Sequence, residues 1–560
     1  MAMNNLDTRM SALENHFDIA FAAPNGIKKL RELILTLAMQ GKLVPQDPND
    51  QPASELLKEI EAEKRRLVKE GKIREPKPLP EIKQEEVPYE LPSGWEWVRN
   101  NFLFTLKKGK VPHDLQENEG TTPYLDIEAL DKGNIRRYTN DLKTPQATEK
   151  DILVVCDGSR SGLVLDGKNG AVGSTLSVIE TPLFIQPFVK LIFKSGFERL
   201  NSTMKGAAIP HLDTKNLLLE TIGLPPLEEQ HRIVAKIDQL MARCDELEKL
   251  RAEREQKRLT VHISALNSLL EAQEPDSFAA VWHFINRHFG ELYSVKANVT
   301  ELRKAILQLG IMGKLVPQDP NDQPASALLK EIEAEKRRMV KEKKIKDKPI
   351  SKIKQEELPY GLPESWEWVR LSSLALLIDY GTSKKTIDDS TKVPVYRMGN
   401  IFNGQLIHSG LKYVDQNIDD LPRLYLHKND ILFNRTNSYE LVGKTAIYLG
   451  ENDLRTFASY LIRVRLAETH LLPLFFNRVM NSPYYRKTQI ELEIVQQCGQ
   501  ANFNGTKLAT TLVPLPPLAE QHRIVAKIDQ LMALCDQLDM LIDESTCKQK
   551  TLLDVLMAVA

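Results

Sequence analysis

Two blocks of this chain are each written twice, and the long stretches between them are not. Gly41–Ser54 (GKLVPQDPNDQPAS) recurs letter for letter at Gly313–Ser326, and Glu229–Ala242 (EQHRIVAKIDQLMA) recurs at Glu520–Ala533. The order is frame A, insert 1, frame B, frame A, insert 2, frame B. A chain written this way is expected to fold into two near-equal halves, each holding a different module at a related place.

At 560 residues the chain exceeds one hydrophobic core, and length alone suggests about three or four domains. Its 42% hydrophobic and 27% charged residues are those of a globular protein. Net charge is −1. Leu91–Gly223 carries 16 basic and 16 acidic residues, and Leu362–Pro514 carries 17 and 15. Binding nucleic acid by bulk charge requires a strongly basic surface, so any such contact must come from local patches, base reading or a partner. Cys156, Cys244, Cys498, Cys535 and Cys547 form no C-x-x-C pair and are odd in number. That argues against a zinc cluster or disulfide framework and fits a reducing cytoplasm. No run of about 18 apolar residues exists, so no membrane span is expected.

Frame A opens with a helical stripe, Leu30, Ile34 and Leu37, repeated as Leu302, Ile306 and Leu309. The prolines of PQDPNDQP then forbid helix. Ala53–Ile73 reads as a charged amphipathic helix that Ser54 could cap. Linkers at Arg74–Pro88 and Lys346–Pro359 deliver the chain to a shared opening signature, LPSGWEWVR at Leu91–Arg99 and LPESWEWVR at Leu362–Arg370, whose tryptophans alternate as in a strand. Frame B steps by four and three through Ile233, Ile237, Leu240, Cys244 and Leu247, and again through Ile524, Ile528, Leu531, Cys535, Leu538 and Ile542, an a/d seam predicted to be buried. The first copy loses its stripe around Arg251–Arg258 and regains it, so Glu229 to about Glu271 would span roughly 65 Å as one helix ended by Pro275. Phe278–Tyr293 reads as a connector or short helix.

Each insert reads as mixed α/β. Asp151–Gly167 and Asp430–Gly450 share a form: an Asp-Ile-Leu strand, a polar loop, and a returning strand. Side chains that hydrogen-bond base edges or phosphates cluster there. Insert 1 offers Ser159, Arg160 and Ser161, with Lys107, Lys108 and Lys110 upstream. Insert 2 offers Asn434, Arg435, Thr436, Asn437 and Ser438 at a hairpin tip, then Lys444, with Ser383, Lys384 and Lys385 upstream. Each alone is an ordinary solvated side chain; as clusters at matching places they are candidate DNA contacts.

Three motifs imitate catalysis. SYELVGKT at Ser438–Thr445 lacks the first glycine of a phosphate-binding loop. Asp157, Asp166 and Lys168 mimic a metal-nuclease pattern that insert 2 does not repeat. Asn481-Ser482-Pro483-Tyr484 is one residue away from the adenine-methyltransferase N-P-P-Y motif, with no Gly-rich cofactor loop, and a helix-end turn explains it. His231 and His522 sit at a helix start, where packing or a partner role outweighs metal ligation.

LPPLEEQHRIVAKIDQL at Leu224–Leu240, LPPLAEQHRIVAKIDQL at Leu515–Leu531, the frame A block and the W-x-W-V-R signature, in this order and twice over, resemble the specificity (S) subunits of type I restriction–modification enzymes. The resemblance covers nearly the whole chain. It implies an α+β fold: two mixed α/β target recognition domains separated by an antiparallel pair of long helices, a coiled-coil spacer, with pseudo-twofold internal repetition. The implied divisions are an N-terminal extension (1–26), frame A with its linker (27–90), recognition domain 1 (91–223), the central spacer (224–361), recognition domain 2 (362–514) and the C-terminal spacer helix (515–560). Each recognition domain would read half of an asymmetric double-stranded DNA target. Two methyltransferase (M) subunits and two motor–nuclease (R) subunits would be partners, carrying S-adenosylmethionine, ATP and Mg²⁺, with no cofactor, metal or active site in this chain. The alternative is a stand-alone DNA methyltransferase or nuclease with fused reading domains; the imitations above speak against it.

Overall fold

A computed structural model describes residues 21–71, 80–202, 211–272, 274–346, 349–497 and 500–559. The extension as far as residue 20, residues 74–79 and 347–348 of the linkers, and Cys498 lie outside these. Contacts divide the chain into two units, Met1–Arg254 with Ser545–Ala560, and Glu255–Glu544.

In the first unit the frame A stripe forms the helix Gly26–Met39, and the proline-rich turn leads to the helix Ala53–Lys69. Ser54 does not cap that helix, a correction to the sequence expectation: Pro52 occupies the cap, and the Ala53 amide instead donates to Gly94 O at 2.8 Å in the opening signature. The signature's strand Glu96–Arg99 pairs antiparallel with Thr221–Leu224, so insert 1 begins and ends on one two-stranded ribbon.

Polar side chains tie that ribbon to the frames. Trp95 Nε1 donates to Glu229 Oε2 at 2.9 Å, and Gln46 Nε2 donates to Glu229 Oε1 at 2.7 Å. Arg232 holds Asp50 at 3.1 and 2.6 Å. Arg99, buried, grips Glu86 and donates to Leu219 O. The second unit repeats each contact. Glu367–Arg370 pairs with Leu512–Leu515; Trp366 donates to Glu520 at 2.9 Å and Gln318 to Glu520 at 2.6 Å. Arg523 holds Asp322 at 3.3 and 2.6 Å, and Arg370 grips Glu357. The duplicated letters are therefore a duplicated clamp.

Frame B is one continuous helix in each copy, Leu227–Glu271 and Leu518–Val559, unbroken through Arg251–Arg258. Its seam is only partly buried, another correction. Ile233, Ile237 and Cys244 are buried, Leu240 is half-buried, and Leu247 is 46% exposed. Ile524, Ile528 and Cys535 are buried, whereas Leu531 is half-buried. The reason is that the early turns pack on frame A: Ile233 and Ile237 share a cluster with Ile34, Ala38 and Ile60, and later turns outrun that partner. Pro275 opens a new helix, Pro275–Arg287, followed by Phe289–Leu292, so Phe278–Tyr293 is mostly helical, with Leu292 and Tyr293 in the second unit's core.

Insert 1 has a four-stranded sheet in the order Thr105–Lys108, Leu176–Glu180, Ile152–Val155, Val164–Asp166, beside a five-stranded sheet. Insert 2 has a six-stranded sheet beginning Ala375–Tyr380, Leu461–Leu466, Ile431–Asn434, Thr445–Ile447. The Asp-Ile-Leu strands are apolar over Ile152–Val155 and from Ile431 to Phe433 because both faces are covered. Ile152 and Val154 face one cluster and Leu153 and Val155 another; Ile431 and Phe433 part from Leu432 in the same way. The leading aspartates end the preceding turns, Asp151 accepting from Thr148 N at 2.7 Å and Asp430 from His427 N at 2.8 Å.

Candidate nucleic-acid interface

In insert 1 the strand Thr105–Lys108 carries its lysines outward. Lys107 is exposed, 3.9 Å from Glu180; Lys110 is exposed with no ion pair among the described residues. Lys108 donates to Asp157 Oδ2 at 2.6 Å, and His211 Nδ1 meets Asp157 Oδ1 at 2.6 Å. Burial works to raise the Asp157 carboxyl, but hydrogen bonds from Lys108 and His211 outweigh it and hold it below the usual value, so it is ionised.

Ser159 and Arg160 are exposed, with Arg160 donating to Asp131 at 2.8 Å. Ser161 is corrected: it is fully buried, its hydroxyl spent on Gly158 O at 2.8 Å. A turn this tight folds its own hydroxyl inward.

In insert 2, Ser383, Lys384 and Lys385 are exposed; Lys384 lies 3.3 Å from Asp419, and Lys385 has no ion pair among the described residues. Asn434 is corrected as a tip residue. It ends the central strand, 2% exposed, its amide bonded to Lys444 O, because the strand runs one residue further than its apolar letters suggest. Arg435 is half-buried, its guanidinium 4.9 Å from the Tyr380 ring and 3.3 Å from Ser459 O, while its Nε has no partner. Thr436–Asn437 form a strand, not a tip, against Ala501–Asn502, and Thr436 Oγ1 donates to Asn502 Oδ1 at 2.7 Å. Asn437 accepts from Ser438 N at 2.8 Å. Ser438 and Lys444 are exposed, Lys444 with no side-chain partner among the described residues.

Tyr380 is placed by a buried network: Arg463, fully buried, donates to Asp379 Oδ2 at 2.7 Å, and Arg465 holds Asp430 at 2.7 Å through two nitrogens. Sequence reasoning missed His211, Tyr380 and Asn502. His211 and Asn502 lie 54 and 66 residues from their partners Asp157 and Thr436. A signal existed: the register that aligns the two frame B copies continues upstream through Leu212/Phe503 to His211/Asn502.

The imitation motifs have structural explanations. Ser482 caps the helix Pro483–Tyr485, Asn481 bonds Thr445 and Asn477, and Tyr484 donates to Pro359 O. Asp166 pairs with Lys190, and Lys168 donates to Ala129 O at 3.0 Å, each away from Asp157's own partners. His231 and His522 are exposed. Among the described residues no group of three or more His, Cys, Asp or Glu could hold a metal, and no helix is long and apolar enough to cross a membrane.

Comparison with known proteins decides the family. Residues 92–255 and 363–542 match the model of the type I restriction modification DNA specificity domain. This chain belongs to the type I restriction specificity subunits. The EcoAI specificity subunit of Escherichia coli is 35% identical over 95% of this chain and 93% of its own length, and the EcoEI specificity subunit of the same species is 34% identical over the same shares. The crystal structure of the HsdS subunit from Thermoanaerobacter tengcongensis aligns over 84% of this specificity subunit and 98% of that chain, at 19% identity and a TM-score of 0.39.

Proposed function

We propose that this specificity subunit reads an asymmetric, bipartite DNA target, one half-site through residues 91–223 and the other through 362–514, and docks two methyltransferase subunits in the cytoplasm. The observation that carries this reading is the duplicated clamp. The same Trp–Glu–Gln and Arg–Asp contacts hold two inserts whose exposed loops carry different side chains. Unlike readers suit an asymmetric target, and like frames suit two copies of one partner. The long helices pair antiparallel as a spacer under a pseudo-twofold axis, setting the gap between half-sites whose centres lie roughly 34–36 Å apart when one helical turn separates them. Exposed Leu247, Leu250, Leu534, Met540 and Leu541 on those helices are surfaces that a partner covers. S-adenosylmethionine sits on the methyltransferase subunits, and ATP and Mg²⁺ on the two motor–nuclease subunits that complete the restricting complex; this chain contributes no catalytic residue.

The test is reconstitution. Chain and methyltransferase subunit together should methylate adenine within one bipartite sequence, found by methylation-site sequencing, and the chain alone should transfer nothing. Cofactor-dependent methylation by the isolated chain overturns the assignment.

A further inference from the structure

The inserts differ in sequence, yet their backbones repeat contacts position by position. Gly109 N donates to Leu176 O at 2.9 Å, as Gly381 N does to Leu461 O at 3.3 Å. Lys110 N donates to Val172 O at 3.0 Å, as Thr382 N does to Phe457 O at 2.9 Å. Leu212 N reaches Cys156 O at 2.8 Å, as Phe503 N reaches Arg435 O at 2.8 Å. Asp213 and Asn504 then cap the next helix. At the two glycines a Cβ would strike carbonyl oxygens, 2.2 Å from Gly173 O at Gly109 and 2.3 Å from Phe457 O at Gly381, so both crossings need a bare backbone. These contacts align Lys108 with Tyr380, Cys156 with Arg435, Asp157 with Thr436, and His211 with Asn502.

Because main-chain atoms make this scaffold, its side chains are free to differ, and they do. One insert presents Lys108–Asp157–His211; the other presents Tyr380 under Arg435, with Thr436 bonded to Asn502. We propose that this shared scaffold site is the base-reading site of each half: His211 reads the first half-site, and Arg435 with Asn502 reads the second. The assignment rests on the DNA-reading function proposed above and names its residues.

The chemistry follows from the contacts. An ionised Asp157 only accepts hydrogen bonds, so His211 donates to it from Nδ1–H, and in the neutral tautomer this selects, Nε2 carries the lone pair. His211 is 54% exposed. A lone acceptor there matches the exocyclic amino group that adenine or cytosine shows in the major groove. In the second half, Asn502 Oδ1 takes Thr436 and leaves its amide N–H₂ unpaired among the described residues, and of Arg435's two terminal nitrogens only Nη1 is engaged, by Ser459 O, which leaves Nη2 to donate. These are donors suited to purine acceptors. Lys110, Lys385 and Lys444, exposed and without ion pairs among the described residues, supply the phosphate contacts that fix register beside base readers.

The test uses the full chain assembled with its methyltransferase subunit and a panel of duplexes, each with one base pair of the mapped target changed. His211→Ala should reduce discrimination at one A- or C-bearing position of the first half-site by about 5- to 150-fold and leave the second half-site's ratios unchanged. Asn502→Ala should do the converse. His211→Gln, which restores an acceptor, should recover part of the loss, and an unchanged unfolding midpoint shows that the exposed ring was not structural. If the unsubstituted complex discriminates and both alanine variants keep its ratios, this site is not the reader. If the unsubstituted complex shows no base preference, the DNA-reading function itself fails.

Discussion

Trp95 and Trp366 each bury an indole whose N–H points at a frame glutamate. Burial pushes the Glu229 and Glu520 carboxyls up, while the indole and the Gln46 or Gln318 amide pull them back down. A hydrogen bond to a charged group contributes about 1.5–3 kcal/mol, so Trp95→Phe should lower the stability of the first unit by about that much, measured by urea unfolding. Trp366→Phe should do the same to the second. The pH sense is fixed by linkage. A folded carboxyl raised above its unfolded value of 4.5 binds the proton more tightly when folded, so its contribution is most favourable at low pH and declines as pH rises from 4.5 through the folded value. Losing the indole raises Glu229 further, so the Trp95→Phe deficit should be smaller below pH 4.5 than at neutral pH; a deficit independent of pH means the indole acts by packing alone.

At the level of elements, burial separates positions that the periodicity made equivalent. Ile237→Ala should cost about 2–5 kcal/mol, whereas Leu247→Ala, on the same stripe but 46% exposed, should stay within about 0.5 kcal/mol. Gly310 stands in the helix Lys296–Ile311 where the first frame has Ala38, buried with Ile233 and Ile237. A Cβ on Gly310 would lie 3.0 Å from the flexible tip of Ile528, Cδ1. Because the sister frame already accommodates alanine, Gly310→Ala should be neutral or stabilising by up to about 1 kcal/mol in thermal or urea unfolding, and a loss of stability would show that Ile528 cannot move. Helix extents were legible because Leu, Ile and charge repeat locally. The Ser54 cap was not, since the acceptor for Ala53 N lies 41 residues away at Gly94. Asn434 was misplaced because nothing local tells a strand's last polar residue from a loop's first. The pairing of Asp157 with His211 was hidden because a β-bridge, not a local motif, creates it.

For the whole molecule, the repeated letters already implied two clamps holding two unlike modules, and the side chains now say why the modules should be exchangeable. The polar clamp at insert 1 is built from residues that the second half also possesses: Gln46, Asp50, Trp95, Arg99, Glu229 and Arg232 answer to Gln318, Asp322, Trp366, Arg370, Glu520 and Arg523. What the loops carry does not enter the clamp. Replacing Leu91–Gly223 by the matching insert of a relative, joined at the ribbon Glu96–Arg99 with Thr221–Leu224, should therefore give a folded chain. Its methylation map should change in one half-site while the other half and the gap between them stay as they were. The gap is the more telling readout, because under the proposed function the long helices set it and neither insert does. An exchange that changed both half-sites would mean that the inserts do not read independently, and one that changed the gap would mean that the frames do not set it.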